Sequence, residues 1–220
     1  MASSGFRLRV RYGKTGRLRW LSHLELGHAI ERSVRRAQLP FAVTQGYVPK
    51  MRVAFGPALP VGTAGERECY EVWLTAYVPA AEALEALAAA TPEKMRPVEA
   101  WYASADEPSL SAGVMLADYE ACVEGVSAQD LAEALGAVWR TGELAVEHKG
   151  RHKVFDLAGS LPKEPLTEVA EDGTARVRLA VLIGPEGSLR PESLIAESLS
   201  RAGLAGAVVM TTRTDIRRQD

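Results

Sequence analysis

The sequence has few of the side chains from which metal centres and disulfide scaffolds are built. Its 220 residues contain two cysteines, Cys69 and Cys122, which lie far apart and form no Cys-x-x-Cys pair, and four histidines. Cysteines in such isolated positions are typically small buried hydrophobic residues. We therefore expect no disulfide, no metal site and no bound cofactor.

Long apolar runs are also missing. No stretch approaches the length that a bilayer-spanning helix needs, and the first ten residues, MASSGFRLRV, lack the apolar core of a secretory signal. The hydrophobic content of 47% and the charged content of 25% are those of an ordinary globular protein. We expect a cytoplasmic protein with no membrane partner, large enough for one large domain or two small ones.

Negative charge is almost missing from the first quarter of the chain. Residues 1–56 hold 11 Lys and Arg but only 2 acidic residues, a net charge of +9. The rest of the chain holds 15 basic and 26 acidic residues, a net charge of −11. Such a division indicates an anionic partner for the basic segment, or docking of the two segments on one another.

Hydrophobic periodicity predicts the same run of elements twice. Residues 6–12 alternate between apolar and basic side chains, which is the period of a half-buried strand. The first half predicts strand-helix-strand-strand-helix-strand over residues 6–12, 22–38, 50–55, 68–77, 80–90 and 96–103. The second half predicts the same order over residues 115–124, 127–140, 143–157, 175–183, 191–201 and 207–216. We therefore predict an α+β fold, a tandem duplication of two ferredoxin-like units with antiparallel sheets over residues 1–103 and 114–220, joined by a linker over residues 104–113.

Residues 13–15, Gly-Lys-Thr, have the last three letters of a phosphate-binding loop. The full motif needs a glycine five residues before Gly13, where Leu8 stands, and a helix that begins at the lysine. Here the helix begins about eight residues later. We therefore interpret residues 13–16 as a turn that ends a strand.

A capping box marks the start of the first helix. Ser22 and Glu25 have the Ser-x-x-Glu spacing in which each side chain accepts a hydrogen bond from the other residue's amide. Leu21 and Leu26 stand at the two positions of a hydrophobic staple. His23 is then the first helical residue, either exposed and without a role or able to contact a phosphate or move a proton.

Basic side chains cover one face of this helix. Their spacing is i, i+4, i+7, i+8, and we call them the basic stripe: His28, Arg32, Arg35 and Arg36. The stripe is either a solvated outer face or a binding surface for a phosphate backbone, whose neutralisation releases counterions. With the adjoining loops, the candidate nucleic-acid-binding residues are Lys14, Arg17, Arg19, His23, His28, Arg32, Arg35, Arg36, Tyr47, Lys50 and Arg52.

The first strand turns three arginines away from its apolar side, and we call this side of the sheet the arginine face: Arg7, Arg9 and Arg11. In a ferredoxin-like unit, residues of neighbouring strands share this face: Glu71, Trp73, Tyr77, Glu99 and Trp101. Arginines beside aromatic rings on an open sheet resemble a stacking platform for single-stranded RNA. The alternative is that the two glutamates pair with the arginines and that the second unit covers the face.

The second half has one strong basic cluster: His148, Lys149, Arg151, His152 and Lys153. It is a poor metal site, because no third ligand stands at a suitable spacing and its neighbours are cationic. We interpret it as a basic hairpin edge and as a secondary candidate for nucleic-acid binding.

Three motifs in the first hundred residues resemble the signatures of a bacterial family. Residues 12–25, YGKTGRLRWLSHLE, resemble the N-terminal signature of the uncharacterised radical SAM-linked protein family, and QGYVPK (45–50) and LPVG (59–62) look like its second and third signatures. Members occur alone or joined to the C-terminal side of a radical S-adenosylmethionine protein, and are often encoded near RNA-processing and ribosomal genes. The resemblance implies a standalone member that serves RNA metabolism or modification. The Cys-x-x-x-Cys-x-x-Cys motif of the radical SAM domain is absent from this sequence.

The sequence supports three hypotheses of function. The first is a non-catalytic RNA-binding accessory module, with tRNA or rRNA as its ligand, that works with a radical SAM enzyme. The second is a protein-interaction module that docks on the radical SAM partner. The third is a metal-independent endoribonuclease in which His23 accepts the proton of a 2′-hydroxyl and nearby cations stabilise the phosphate. The predicted tandem fold also resembles that of the CRISPR-repeat-cleaving endoribonucleases, an analogy of fold.

Overall fold

The computed structural model describes residues 5–148, 151–184 and 187–218. The chain has an α+β fold and divides into two compact units, Met1–Ala112 and Gly113–Asp220. Within the described ranges, no helix is long and apolar enough to cross a membrane.

The first unit has the element order that the sequence predicts. Its elements are β1 (Phe6–Lys14), α1 (His23–Arg36), β2 (Val53–Phe55), β3 (Ala64–Leu74), α2 (Ala80–Ala90) and β4 (Pro97–Tyr102). Short 3-10 helices, Gly16–Trp20 and Glu93–Met95, precede α1 and β4. The strands form a sheet in the order β4-β1-β3-β2, and each neighbouring pair is antiparallel.

Both helices of the first unit pack on one face of its sheet. Successive strand residues point to opposite faces, so Leu8 and Val10 of β1 face the same side as Val72 of β3. All three are fully buried. The helices contribute Leu26, Ile30, Val34, Ala83 and Leu87 to the same cluster. Since burying one such aliphatic side chain contributes about 1.5–3 kcal/mol, this cluster is the main stabilising feature of the unit.

The second unit also combines an antiparallel sheet with helices, and it has in addition a separate two-stranded hairpin. Its elements are β5 (Met115–Glu124), α3 (Ala128–Thr141), β6 (Glu143–His148), β7 (Arg151–Asp156), α4 (Leu157–Ser160), β8 (Leu166–Val169), β9 (Ala175–Ile183), α5 (Pro191–Arg201) and β10 (Ala207–Arg218). Four strands pair antiparallel in the order β10-β5-β9-β8, and β6 and β7 form a separate hairpin.

The prediction of one strand over residues 143–157 is wrong. That segment is the β6-β7 hairpin followed by the first residue of α4, which begins where the Asp156 side chain accepts a hydrogen bond from the Gly159 amide at 3.0 Å. The strand that pairs with the outer edge of β9, opposite β5, is β8, inside a segment predicted to be a loop. β8 has four residues, and its apolar residues Leu166 and Val169 are both exposed. It therefore lacks the alternation of buried and exposed residues by which strands are recognised.

Candidate nucleic-acid interface

The capping box at the start of α1 is confirmed. The Ser22 hydroxyl accepts a hydrogen bond from the Glu25 amide at 3.3 Å, and the Glu25 carboxylate accepts one from the Ser22 amide at 2.8 Å. Hydrogen bonds from the side chain and backbone of Ser22 hold the pKa of the Glu25 carboxyl below its usual value of 4.5. His23 is the first helical residue, as predicted.

We expect Glu25→Gln to destabilise the protein at neutral pH, by an amount that shrinks as the pH falls below about 4.5. A carboxyl whose pKa is lower in the folded state stabilises that state above its unfolded pKa, and this contribution is lost as the pH falls through the folded pKa. Urea unfolding of both proteins at pH 7, 5 and 3 measures the difference.

Glu82→Gln is the matched control for this prediction. Glu82 also lies in the first turn of its helix, α2, but that helix has no side-chain cap. Glu82→Gln therefore measures the effect of removing a charge near a helix N-terminus where there is no capping box. A difference between wild type and Glu25→Gln that stays constant with pH, or that equals the control, would contradict the prediction.

His23 is exposed and contacts an aromatic side chain of β2. Its ring lies edge-on to the Phe55 ring, with 5.1 Å between the centroids. Lys14, which the ribonuclease hypothesis places nearby, is only 1% exposed, and its ammonium donates a hydrogen bond to the Leu21 carbonyl at 2.9 Å. We therefore leave Lys14 out of the candidate surface, and the role of His23 stays a prediction.

The motifs of residues 12–25 and 59–62 contact each other at the 3-10 helix that precedes α1. The Gly62 amide donates a hydrogen bond to the Arg19 carbonyl at 3.0 Å, and Gly62 has a φ of +93°. A Cβ at Gly62 would lie 3.0 Å from the Trp20 ring, so this contact requires glycine. Arg17 is exposed, whereas the Arg19 guanidinium is partly buried over the Trp20 ring at 5.2 Å.

The basic stripe lies on the exposed side of α1. All four of its side chains are exposed. Arg35 is paired with Glu31 at 3.4 Å and lies 5.7 Å over the Phe41 ring. Arg32 and Arg36 have no hydrogen-bond or ion-pair partner among the described residues. No acidic side chain in the described part of the chain therefore neutralises these two charges.

The segment between α1 and β2 forms a loop whose tip is fully exposed. The Thr44 amide donates to the Lys50 carbonyl at 2.8 Å, the Lys50 amide donates to the Thr44 hydroxyl at 3.1 Å, and Tyr47 is fully exposed. Beyond the loop, the Arg52 guanidinium lies 4.3 Å over the Trp73 ring. Lys50 and Arg52 are both exposed, as a binding role requires.

The candidate residues do not form one continuous surface. Trp73 is opposite Arg7 in the β1-β3 ladder, so the Arg52–Trp73 pair lies on the arginine face. The basic stripe lies on α1, which covers the other face of the sheet. The first unit therefore has two separate basic regions.

On the arginine face, the expected ion pairs are confirmed. Arg9 pairs with Glu71 at 2.5 Å and also with Glu107, and Arg11 pairs with Glu99. Glu71 is fully buried and the Arg9 side chain is 10% exposed. These two charges are therefore structural and do not present a free surface to a phosphate.

Residues 104–108, which the sequence predicts to be only a linker, bind two arginines of the arginine face. Arg7 donates to the Ser104 and Glu107 carbonyls at 2.5 and 2.6 Å, and Arg9 donates to the Pro108 carbonyl at 3.1 Å. The signal that could have indicated this contact is a Pro-containing acidic stretch directly after β4, the strand that pairs with the arginine-bearing β1.

The secondary cluster lies at the β6-β7 hairpin, as interpreted from the sequence. His152 is exposed, 4.0 Å from Glu147, and the Lys153 ammonium lies 4.8 Å from the Phe155 ring. Lys149 and the side chains of His148 and Arg151 lie outside the described residues. In the part of the chain that is described, no group of three or more metal-ligating side chains is assembled.

The fold and the site define an α+β protein with two units, of which the first carries an exposed basic helix surface. The chain belongs to the family described as "Uncharacterized protein conserved in bacteria (DUF2344)", whose model matches residues 7–191. The match includes nearly all of the first unit and reaches the first residue of α5 in the second. No curated protein matches the sequence.

Proposed function

We propose that this protein binds RNA without catalysing a reaction, and that the basic stripe of α1 is its main contact with the phosphate backbone. The observation that carries the proposal is the pair Arg32 and Arg36, which lie about one helical turn apart, exposed, and without a partner among the described residues. Neutralising phosphates with such side chains releases condensed counterions and so favours binding.

The length of the basic stripe favours a polyanion over a small anion. A helix rises 1.5 Å per residue, so His28 and Arg36 are about 12 Å apart along the axis. One small anion does not reach both ends, whereas a nucleic-acid backbone carries charges along the whole distance. The net charge of +9 over residues 1–56 acts in the same direction, because it attracts polyanions from a distance.

We further propose that each unit is a ferredoxin-like unit and that the two arose by duplication. The support is that both sheets have the same order, in which the fourth, first, third and second strands of the unit lie side by side. The hairpin β6-β7 and α4 are then an insertion before the second strand of the second unit. The resemblance of residues 12–25 to the radical SAM-linked family supports a radical SAM enzyme as the partner that this module serves.

An electrophoretic shift series with total tRNA and with a structured rRNA fragment tests the proposal. We expect the full chain to shift both RNAs at low salt, and the shift to weaken steadily as salt rises. Absence of a shift at low salt, or a shift that salt does not affect, would contradict it.

The alternative is that the basic stripe docks on an acidic surface of the radical SAM partner. It rests on the same unpaired charges of Arg32 and Arg36. A 1:1 complex that survives nuclease treatment and that Arg32→Glu with Arg36→Glu disrupts, from a protein that shifts no RNA, would favour this alternative.

A further inference from the structure

A cleft of about 640 Å³ opens in the first unit, at the end of the sheet where β1 begins and β4 ends. Residues 103–105 form one wall, and six side chains form the rest: Phe6, Arg7, Arg52, Trp73, Tyr77 and Tyr102. Its volume is in the range of small-molecule sites. Within the described residues, its lining includes two arginines and no acidic side chain.

Three aromatic rings hold each other in place inside the cleft. Tyr77 stacks on Tyr102 with 5.2 Å between centroids, and Phe6 lies edge-on to both at 5.6 and 6.2 Å. The Tyr102 hydroxyl donates to the Val78 carbonyl at 2.6 Å, which fixes that ring. Tyr77 is nevertheless 60% exposed. A positioned ring with much of its surface in solvent is suited to stack with a planar ligand.

The two arginines of the cleft have different roles. Arg7 is held by the carbonyls of Ser104 and Glu107, so it fixes the wall and has little capacity for a ligand. Arg52 is exposed and its guanidinium lies over the Trp73 ring at 4.3 Å, so that donors on its solvent side are available to a ligand. An anionic group on a planar ligand would meet Arg52.

The cleft and the basic stripe lie at the same end of the first unit. Arg35, in the last turn of α1, lies 5.7 Å over Phe41, and Phe41 pairs with Leu74. Leu74 is adjacent in the chain to Trp73, which lines the cleft. Leu74 and Trp73 point to opposite faces of the sheet, so the stripe and the cleft are separate contact regions of the first unit.

We infer that this cleft binds an unpaired nucleotide, with its base stacked on Tyr77 and its phosphate against Arg52. The inference rests on the proposed RNA binding and names the class of RNA: one with a single-stranded end or loop. The stacked tyrosine rings suit the planar base, and the Arg52 cation suits the phosphate because no acidic side chain among the described lining residues competes for it. An apolar peptide would leave Arg52 without a partner.

Binding of two labelled RNAs to the full chain tests the inference. One is an oligoadenylate of roughly ten nucleotides, and the other is a blunt, fully paired duplex. We expect Tyr77→Ala to weaken oligoadenylate binding roughly 5- to 100-fold while duplex binding changes little, since loss of one stacked base has effects of this size. Tyr77→Phe keeps the ring and should retain wild-type binding.

Arg52→Ala provides a second variant in case Tyr77→Ala does not fold. We expect it to weaken oligoadenylate binding and to make it less dependent on salt. If wild type binds the duplex but Tyr77→Ala and Arg52→Ala bind oligoadenylate as wild type does, the cleft inference is overturned while the proposed function stands. If wild type binds neither RNA, both are overturned.

Discussion

Replacing Glu71 by alanine is expected to lower the free energy of unfolding by about 3 kcal/mol or more. Glu71 is fully buried and is the more buried of two carboxylate partners of Arg9, whose side chain is 10% exposed. The substitution leaves Arg9 in its buried position with the partly exposed Glu107 carboxylate and the Pro108 carbonyl, and breaking a buried pair from one side typically costs about 3–5 kcal/mol. Urea unfolding at neutral pH, analysed by linear extrapolation, measures the change.

Glu99→Ala is the matched control for this prediction. Glu99 pairs with Arg11 on the same face of the same strand, but its side chain is 53% exposed. Exposed pairs contribute about 0–1 kcal/mol, so the control should lower stability by less than 1 kcal/mol. Equal effects of the two substitutions would show that burial does not distinguish the two ion pairs.

Replacing Arg32 and Arg36 together by glutamate is expected to weaken RNA binding by roughly 10- to 100-fold at moderate salt. Two phosphate contacts are lost, and two negative charges then repel the backbone. Both side chains are exposed, so the fold should be retained. Fluorescence anisotropy with a labelled tRNA gives the two dissociation constants, and circular dichroism verifies that the variant is folded.

The control for this variant changes the net charge by the same amount in the second unit. Arg140 and Arg190 are exposed, and Arg140→Glu with Arg190→Glu again alters the charge by four units. If overall charge alone governed binding, both double variants would weaken it equally. We expect the control to lose much less affinity, because Arg140 and Arg190 belong to the second unit and not to the basic stripe.

Features that depend on neighbouring residues could be predicted from the sequence. The start of α1 follows from Ser22 and Glu25, whose hydrogen bonds are local, and the structure places both bonds there. The Arg9–Glu71 pair follows from the alternation of β1 and β3, once the two strands are known to be neighbours.

Features that depend on distant parts of the chain could not be predicted from the sequence. β8 was missed because it is a strand only through its pairing with β9, and its own residues show no alternation. The cleft combines residues from the two ends of the first unit, such as Phe6 and Tyr102, with Arg52 between them. No local pattern in the sequence indicates such a combination.

The burial of Lys14 could have been predicted from the sequence. It follows Leu8, Val10 and Tyr12 at the strand period of two, so alternation alone places it on the buried side of β1. Its position in a basic segment favoured exposure instead. The buried ammonium donates a hydrogen bond to the Leu21 carbonyl, which offsets part of the cost of burying its charge.

The measurement that tests the central claim most directly is the salt dependence of RNA affinity for wild type and for Arg32→Glu with Arg36→Glu. Each phosphate contact contributes about 0.7–0.9 to the slope of log affinity against log salt. With three or four contacts from the basic stripe, we expect a wild-type slope of about −3, and a slope for the double variant that is shallower by about 1.5. A wild-type slope near zero, or the same slope for both proteins, would contradict the claim that the basic stripe binds an RNA backbone.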